Sequence, residues 1–472
     1  MFTVEEILSA TQGSFLGGEK GCVFAGVSID SRTVKPGDLF IALRGDRFDG
    51  HEFIAQALDT GASGTIFCSN TPPQLVRDRD PRFKNKVFIG VADTLTALQE
   101  IAKVHRSRFS IPLIAITGSN GKTTTKEMAA SILAHRFRLL KTEGNLNNHI
   151  GVPLTLLRLE AGHQAAVIEM GINRPGELGR LCEIARPQAG LITNVGPTHL
   201  EFLGDVEGVA RAKAEMLEGL AQGDMAILNA DDEYFPALAS RVKGDLLTFG
   251  LNSKADVTAS TLALHPDRGP SFRLKIRTEF KPGEIDVSLP VMGRHNIYNA
   301  LGAAAIGVYQ GMDLSTIRQG LEGFEPVSMR SQLLKIGQFH ILNDAYNANP
   351  ASMRCALETL ATLGPHGQKI AVLGDMLELG GPGQAAHREV GREVARVGIQ
   401  YLITMGPLAE QIAQGALSAG MDEWRVMQSQ GPQDAGENVL KVAKSGDYIL
   451  VKGSRRMKME RILEFIAQFT TD

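Results

Sequence analysis

Short apolar runs closed by Gly, Asn or Asp recur along this chain, and a helix-like segment follows each one. They include LIAITG, AAVIEMG, AGLITNVG, MAILNADD, HILNDAYNANP, KIAVLGDM, YLITMG and DYILVKGS. Strands read this way when helices cover both faces of a parallel sheet, so the pattern predicts an α/β protein. Its chemistry then belongs in the loops after the strand C-termini. One region breaks the rhythm. In FRLKIRTEF, Phe272, Leu274 and Ile276 alternate with Arg273, Lys275 and Arg277, and in IDVSLPV the residues Ile285, Val287 and Leu289 share a face. Alternation with period two predicts half-exposed antiparallel strands, a small sheet appended to the central α/β unit.

The 472 residues suggest three domains, at roughly 150 residues each. Breaks are expected before Ile111-Pro112 and in EGFEPVSMRSQ, giving 1–110, 111–327 and 328–472. The segment 69–85 reads as a loop. A net charge of −3 gives no basic field for nucleic acid. Four cysteines, far apart and without a C-x-x-C pair, argue against zinc or a disulfide framework and fit a reducing compartment. The N-terminus lacks the apolar core of a secretory signal, and no run of about 18 apolar residues exists to insert in a membrane. A cytoplasmic monomer is the expectation.

PLIAITGSNGKTTTKEM carries the strongest local signal. The usual phosphate loop is G-x-x-x-x-G-K-[ST], yet its first glycine would fall at Ile116. Gly118 stands instead in a shorter loop, Gly118-Ser119-Asn120-Gly121, between a strand and a helix. Glycines let backbone N–H groups approach phosphate oxygens, and the helix N-terminus favours anions. Lys122 would neutralise the β- and γ-phosphates, and Thr123, with Thr124 beside it, would hold Mg²⁺. The absence of an N-K-x-D guanine-reading motif favours ATP over GTP. Glu169, at the end of AAVIEMG, suits the same cation.

TGSNGKTT resembles the shortened phosphate loop of the Mur ligases, which build the peptide stem of bacterial cell-wall precursors; folylpolyglutamate synthetase shares it. Further stretches are similar to family motifs over nearly the whole chain: EGNLNNHIGVPLTLL, AVIEMGINRPGEL, LITNVGPTHLEFLG, GRHNIYNALGAAA, NDAYNANPASM, VLGDMLELG and VKGSRRMKME. IDSRTVKPGDLFIALRGDRFDGHEF resembles the UDP-gripping domain of the two later ligases. No D-N-P-R motif, the mark of the branch that adds a free diamino acid, occurs. DAYNANPASM and GDMLELG resemble the family's dipeptide-adding branch instead. The implied fold has three domains: a UDP-substrate domain, a central P-loop parallel sheet with the small antiparallel sheet, and a C-terminal Rossmann-like domain for the incoming dipeptide. The implied reaction uses ATP and Mg²⁺ to activate UDP-N-acetylmuramoyl-tripeptide as an acyl phosphate, which the amine of D-alanyl-D-alanine attacks. A ligase adding a free amino acid and a P-loop kinase or switch are the alternatives.

The resemblance also implies residue roles. His199 and a carbamylated Lys213 would hold a second metal. A carbamate turns a cation into an oxygen-bearing anion, and its formation needs a neutral amine. Asn296 and Asn299, one helical turn apart, would meet the adenine edge, where an amide both donates and accepts. Arg330 would meet the phosphates and Asp344 the ribose or phosphate end. Tyr346, Asn347 and Asn349 would lie near nucleotide and dipeptide. Lys452, Ser454 and Arg455 would hold the dipeptide carboxylate or orient the closed domain. Ser31 and Arg32 are candidates for uracil or diphosphate, and Asn147, Asn148 and Arg174 for the muramoyl-peptide. One departure stands out: where the family commonly has P-G-R, this chain reads Ser328-Met329-Arg330.

Overall fold

The computed structural model describes residues 2–45, 48–77, 80–251, 254–277, 282–364 and 366–470. Asp46 and Arg47 of the UDP-domain motif, Thr278 to Phe280 of the alternating run and two residues of the 69–85 segment fall outside these. The chain forms two compact units. The first comprises 1–113, 140–170 and 180–186; the second comprises 114–139, 171–179 and 187–472. Residues 140–170, placed by sequence in the central domain, thus cluster with the N-terminal residues.

The first unit holds a five-stranded sheet, in the order Ser14–Gly17, Val87–Val91, Gly64–Cys68, Leu39–Ile41, Val27–Ser28. Its first pair is antiparallel and the rest are parallel. Gly64–Cys68 and Val87–Val91 are buried throughout, as continuous apolar runs require when both faces are covered. The segment 69–85 is not simply a loop; it carries the short helix Gln74–Arg77 and the 3₁₀ turn Pro81–Phe83.

In the second unit, the strands Leu113–Thr117, Ala189–Ile192, Met225–Asn229, Asp245–Gly250 and Val257–Ala263 run parallel in that order. Ser271–Ile276 and Gly283–Ser288 then add antiparallel to the same edge. The antiparallel sheet is therefore continuous with the parallel one. The alternation sets its sidedness: Phe272, Leu274, Ile276 and Val287 are buried, while the Arg273 guanidinium pairs across the strands with Asp286. Met128, Ile132 and Leu133 of the helix Lys122–Leu133 are all fully buried, Ile132 against Gly307 and Gly320 of the helices His295–Tyr309 and Leu314–Glu322.

The same unit carries a six-stranded sheet, ordered Gln332–Ile336, Phe339–Asn343, Tyr448–Lys452, Lys369–Gly374, Tyr401–Met405, Val426–Ser429. Only its first pair is antiparallel. The loops Asp344–Asn349, Asp375–Gly380 and Gly453–Ser454 all leave C-terminal strand ends of this sheet.

Candidate active site

The phosphate loop is built by close approach. Gly118 has φ +148° and Gly121, which caps the helix Lys122–Leu133, has φ +81°. Both lie where side chains strain the backbone. A Cβ on Gly118 would stand 1.8 Å from Thr193 Oγ1, and one on Gly121 would stand 2.1 Å from Asn299 Oδ1. Two elements distant in sequence therefore brace the loop. Thr193 Oγ1 donates to Asn120 O (2.6 Å), and the Asn120 N–H donates to Asn194 Oδ1 (2.9 Å). Ser119 Oγ exchanges hydrogen bonds with the backbone of Gly196, each 2.9 Å. The third brace comes from the C-terminal sheet, where Asn349 Nδ2 donates to Asn120 Oδ1 (2.7 Å). Lys122 Nζ folds back on Gly118 O (2.7 Å). Thr123 and Thr124 are buried behind it.

Asn296 and Asn299 do share a helix face, but both are buried. Asn299 Nδ2 donates to Asn296 Oδ1 (2.7 Å), Thr125 Oγ1 donates to Asn299 Oδ1 (3.3 Å), and Asn296 Nδ2 donates to Met292 O (2.7 Å). Asn299 is thus turned toward the phosphate loop.

Lys213 occupies the buried face of the helix Val206–Gly219, while Glu207 and Arg211 form the expected exposed i,i+4 pair on the other face. Burial, reinforced by the charge of Lys122, holds its ammonium well below the ordinary lysine range; Asp232 pulls the other way. The Asp232 carboxyl is itself pushed up by burial, although it accepts from the Val195 and Tyr234 N–H groups. His199 sits at φ +53° ahead of the short helix Leu200–Leu203. Its Nδ1 lies 2.8 Å from Glu378 Oε2, a residue of the GDMLELG loop. Arg174 stacks over the Phe202 ring nearby in sequence.

Around the sequence break at 328, Met329 and Ser331 both adopt left-handed φ, +59° and +49°, on either side of Arg330. The glycine of the family's P-G-R thus corresponds to the position where a positive φ is needed, and here Met329 takes it. Arg330 lies over the Tyr346 ring at 4.0 Å, and its buried Nε finds no hydrogen-bond partner among the described residues. The Ser331 N–H donates to Asp344 Oδ1 (2.8 Å). Burial alone would raise the Asp344 carboxyl, but the Lys452 ammonium beside it wins and holds it below the usual carboxylate range. Lys452 is buried, bonded to Asp344 Oδ2 and to Asn347 O. Ser454 Oγ accepts from the Leu377 N–H (2.9 Å), while exposed Arg455 pairs with Glu460. Asn347 Oδ1 accepts from the adjacent Ala348 N–H.

In the first unit, Glu169 ends the strand Ala165–Glu169 and is buried. Its Oε1 accepts from Asn147 Nδ2 (2.8 Å), and its N–H donates to Thr142 Oγ1. Its Oε2 has no partner among the described residues. A buried carboxylate oxygen left open in this way fits a cation ligand. Asn148 caps the helix Gly151–Leu156 through its Oδ1. Ser31 Oγ donates to Gln56, and the exposed Arg32 is tied to Asp30 in a local turn. Asp30 is held down to about 2 by those same bonds.

A shortened, glycine-dependent phosphate loop at the end of a parallel strand, met by Asn349 from a second, mostly parallel sheet, defines a nucleotide-binding α/β protein. The chain belongs to the Mur ligase family. The family's catalytic-domain model matches residues 23–106, the Mur ligase middle domain 116–307, and the glutamate ligase domain 329–455. Within it the chain is of the MurF type. It is 37% identical to the UDP-N-acetylmuramoyl-tripeptide–D-alanyl-D-alanine ligase of Bacillus subtilis (strain 168), over 98% of this chain and 97% of that protein. The Escherichia coli (strain K12) protein of the same name is 36% identical, over 94% and 93%. Among solved structures, MurF from Acinetobacter baumannii superposes with TM-score 0.88 at 32% identity, covering 99% of each chain. MurF from Thermotoga maritima, in complex with ADP, gives 0.80 at 27% identity, covering 94% of this chain and 97% of that one.

Proposed function

We propose that this chain is the ATP-dependent ligase that joins D-alanyl-D-alanine to UDP-N-acetylmuramoyl-tripeptide in cytoplasmic peptidoglycan precursor synthesis. The full-length similarity to ligases named for that reaction carries the reading. A phosphate loop braced from both sheets of the second unit supports it. Residues 1–110 hold the UDP moiety, with Ser31 and Arg32 as contacts. Residues 111–327 hold ATP, and 328–472 receive the dipeptide. The chain acts as a monomer.

Asn194 holds the Ser119 and Asn120 N–H groups, so the triphosphate meets the N-terminus of the helix Lys122–Leu133, and Lys122 leaves Gly118 O to neutralise the γ-phosphate. Asn296 and Asn299 hold the loop in shape from behind. Arg330, with its open Nε, supplies positive charge to the phosphates, and Asp344 and Lys452 hold that strand end in place. Asn349 joins the C-terminal sheet to the loop, so ordering of nucleotide and dipeptide are coupled and water is excluded from the acyl phosphate. Tyr346 and Asn347 lie on the same strand-end loop. Asn147, Asn148 and Arg174 face the muramoyl-peptide side, Asn147 through Glu169. Ser454 and Arg455 orient the dipeptide end. In the first unit Glu169, and in the second Thr123 and Thr124 and, separately, His199 and Lys213, are the residues that would each hold Mg²⁺. When bound, Mg²⁺ offsets the charge that repels carboxylate from γ-phosphate.

The neutral amine favoured at buried Lys213 is the form that reacts with CO₂, so we propose that it carries a carbamate. The overall reading is tested by phosphate release from ATP with UDP-muramoyl-tripeptide. Release with D-alanyl-D-alanine supports it; release only with diaminopimelate or another free amino acid overturns it.

A further inference from the structure

The loop Met376–Gly380 lines a cavity of about 270 Å³, together with Gly381, Gly383, Gln384 and Leu408. The size is just below the roughly 300–1,000 Å³ of clefts for drug-sized ligands, which suits a dipeptide better than a nucleotide. Met376, Leu379 and Leu408 supply apolar surface, and the glycines leave room for small side chains. The one ionised lining group is Glu378. Its backbone stands at φ +64°, a strained setting for a residue with a side chain. Three contacts hold it there. Leu377 N–H donates to Ser454 Oγ, Glu201 N–H donates to Glu378 O (3.4 Å), and the carboxylate reaches His199. Arg456 is close enough that its charge also stabilises the Glu378 carboxylate. Glu378 is thus the one acidic residue in the wall of a small cavity, its carboxylate beside a histidine that the fold brings from the phosphate-loop sheet.

We infer that Glu378 binds the ammonium of the incoming dipeptide, and that the 376–384 cavity receives its methyl-bearing body. This rests on the ligase reading above and names a binding residue for it. The carboxylate selects a nucleophile with a primary ammonium and no second charged side chain. The small cavity disfavours a long polar side chain such as that of a diamino acid.

The test separates the two half-reactions. Acyl-phosphate formation, read by borohydride reduction of the activated tripeptide, needs no amine; ligation does. Glu378→Gln is expected to raise KM for D-alanyl-D-alanine about ten- to a hundredfold, the weight of a charge-assisted hydrogen bond, with acyl phosphate still formed. Gly381→Val provides a second probe: a Cβ there meets no atom within 4 Å, so the fold tolerates it while the cavity shrinks. Its KM for the dipeptide is expected to rise at least tenfold. Unchanged KM in both variants overturns the inference. So does loss of acyl-phosphate formation in Glu378→Gln, which would mean that the carboxylate serves His199 and not the amine. The ligase reading fails differently, by absence of dipeptide ligation in the unsubstituted protein, and that result overturns both.

Discussion

Replacing Gly118 by Ala perturbs the phosphate loop at its tightest point. The new Cβ would lie 1.8 Å from Thr193 Oγ1 and 3.1 Å from the Thr193 backbone nitrogen, on a residue at φ +148°. Backbone strain of this kind costs about 1–3 kcal/mol. Moving the Thr193 hydroxyl away also breaks its bond to Asn120 O, worth about 1 kcal/mol. The strain and the broken bond both lie in the loop, above the sheet's own hydrogen-bond ladder, so the cost falls on the nucleotide-binding conformation. About 2–4 kcal/mol corresponds to roughly 30- to 700-fold weaker ATP binding at 1.4 kcal/mol per decade. Titration with a fluorescent ATP analogue measures it, and a thermal melt checks that the fold survives. Thr193→Ala in the Gly118→Ala background removes the oxygen of the 1.8 Å contact and leaves the φ strain. The double variant should regain part of the lost affinity, so the two changes are non-additive. ATP affinity within threefold of the parent in Gly118→Ala, or no coupling to position 193, would refute the reasoning.

Met329→Gly removes a left-handed strain of about 1–2 kcal/mol, against about 0.5–1 kcal/mol of added chain entropy and about 1 kcal/mol of lost packing of the half-buried side chain on the C-terminal core, so the terms nearly cancel and the melting temperature should move by less than about 3 °C. Asn349→Ser keeps the cap of the helix Pro350–Thr362 but cannot reach Asn120. Stability should hold while KM for ATP rises about fivefold, near 1 kcal/mol, in a steady-state assay. Asp344→Asn leaves Lys452 buried without its anion, at about 3–5 kcal/mol. The folded carboxyl lies below its ordinary 3.8, so its contribution is full above that pH and is lost as pH falls through the folded value. Urea melts of parent and variant should therefore differ at pH 7 and converge in acid. Lys213→Ala should abolish ligation, with partial rescue by high bicarbonate and a short carboxylic acid; full activity in the variant would remove the carbamate from the account.

The strand–loop–helix of the phosphate site was legible because its signals are local: an apolar run, two glycines, G-K-T and a helix with Met128, Ile132 and Leu133 on one side. The antiparallel edge was legible from the alternation at Phe272, Leu274 and Ile276, though not its continuity with the parallel sheet. The braces were not legible. Asn194, Asn349 and Glu378 meet Asn120 and His199 across 74, 229 and 179 residues of sequence, and no periodicity encodes such a meeting. The packing of Asn299 was hidden for the same reason: helix spacing places an amide on a face with Asn296, but not what that face packs against. Burial of Lys452 was hidden because its sequence neighbours Arg455 and Arg456 are exposed. Each miss is a tertiary contact made by a polar side chain, where pattern reasoning has least purchase.

The account's central claim is that a carboxylate is activated by phosphorylation and then taken by the dipeptide amine. It is tested most directly by labelling the terminal carboxylate of UDP-muramoyl-tripeptide with ¹⁸O and analysing the phosphate released. The account predicts one ¹⁸O in each phosphate, with release dependent on D-alanyl-D-alanine and matched by amide product. Unlabelled phosphate, or equal release without the dipeptide, would contradict it.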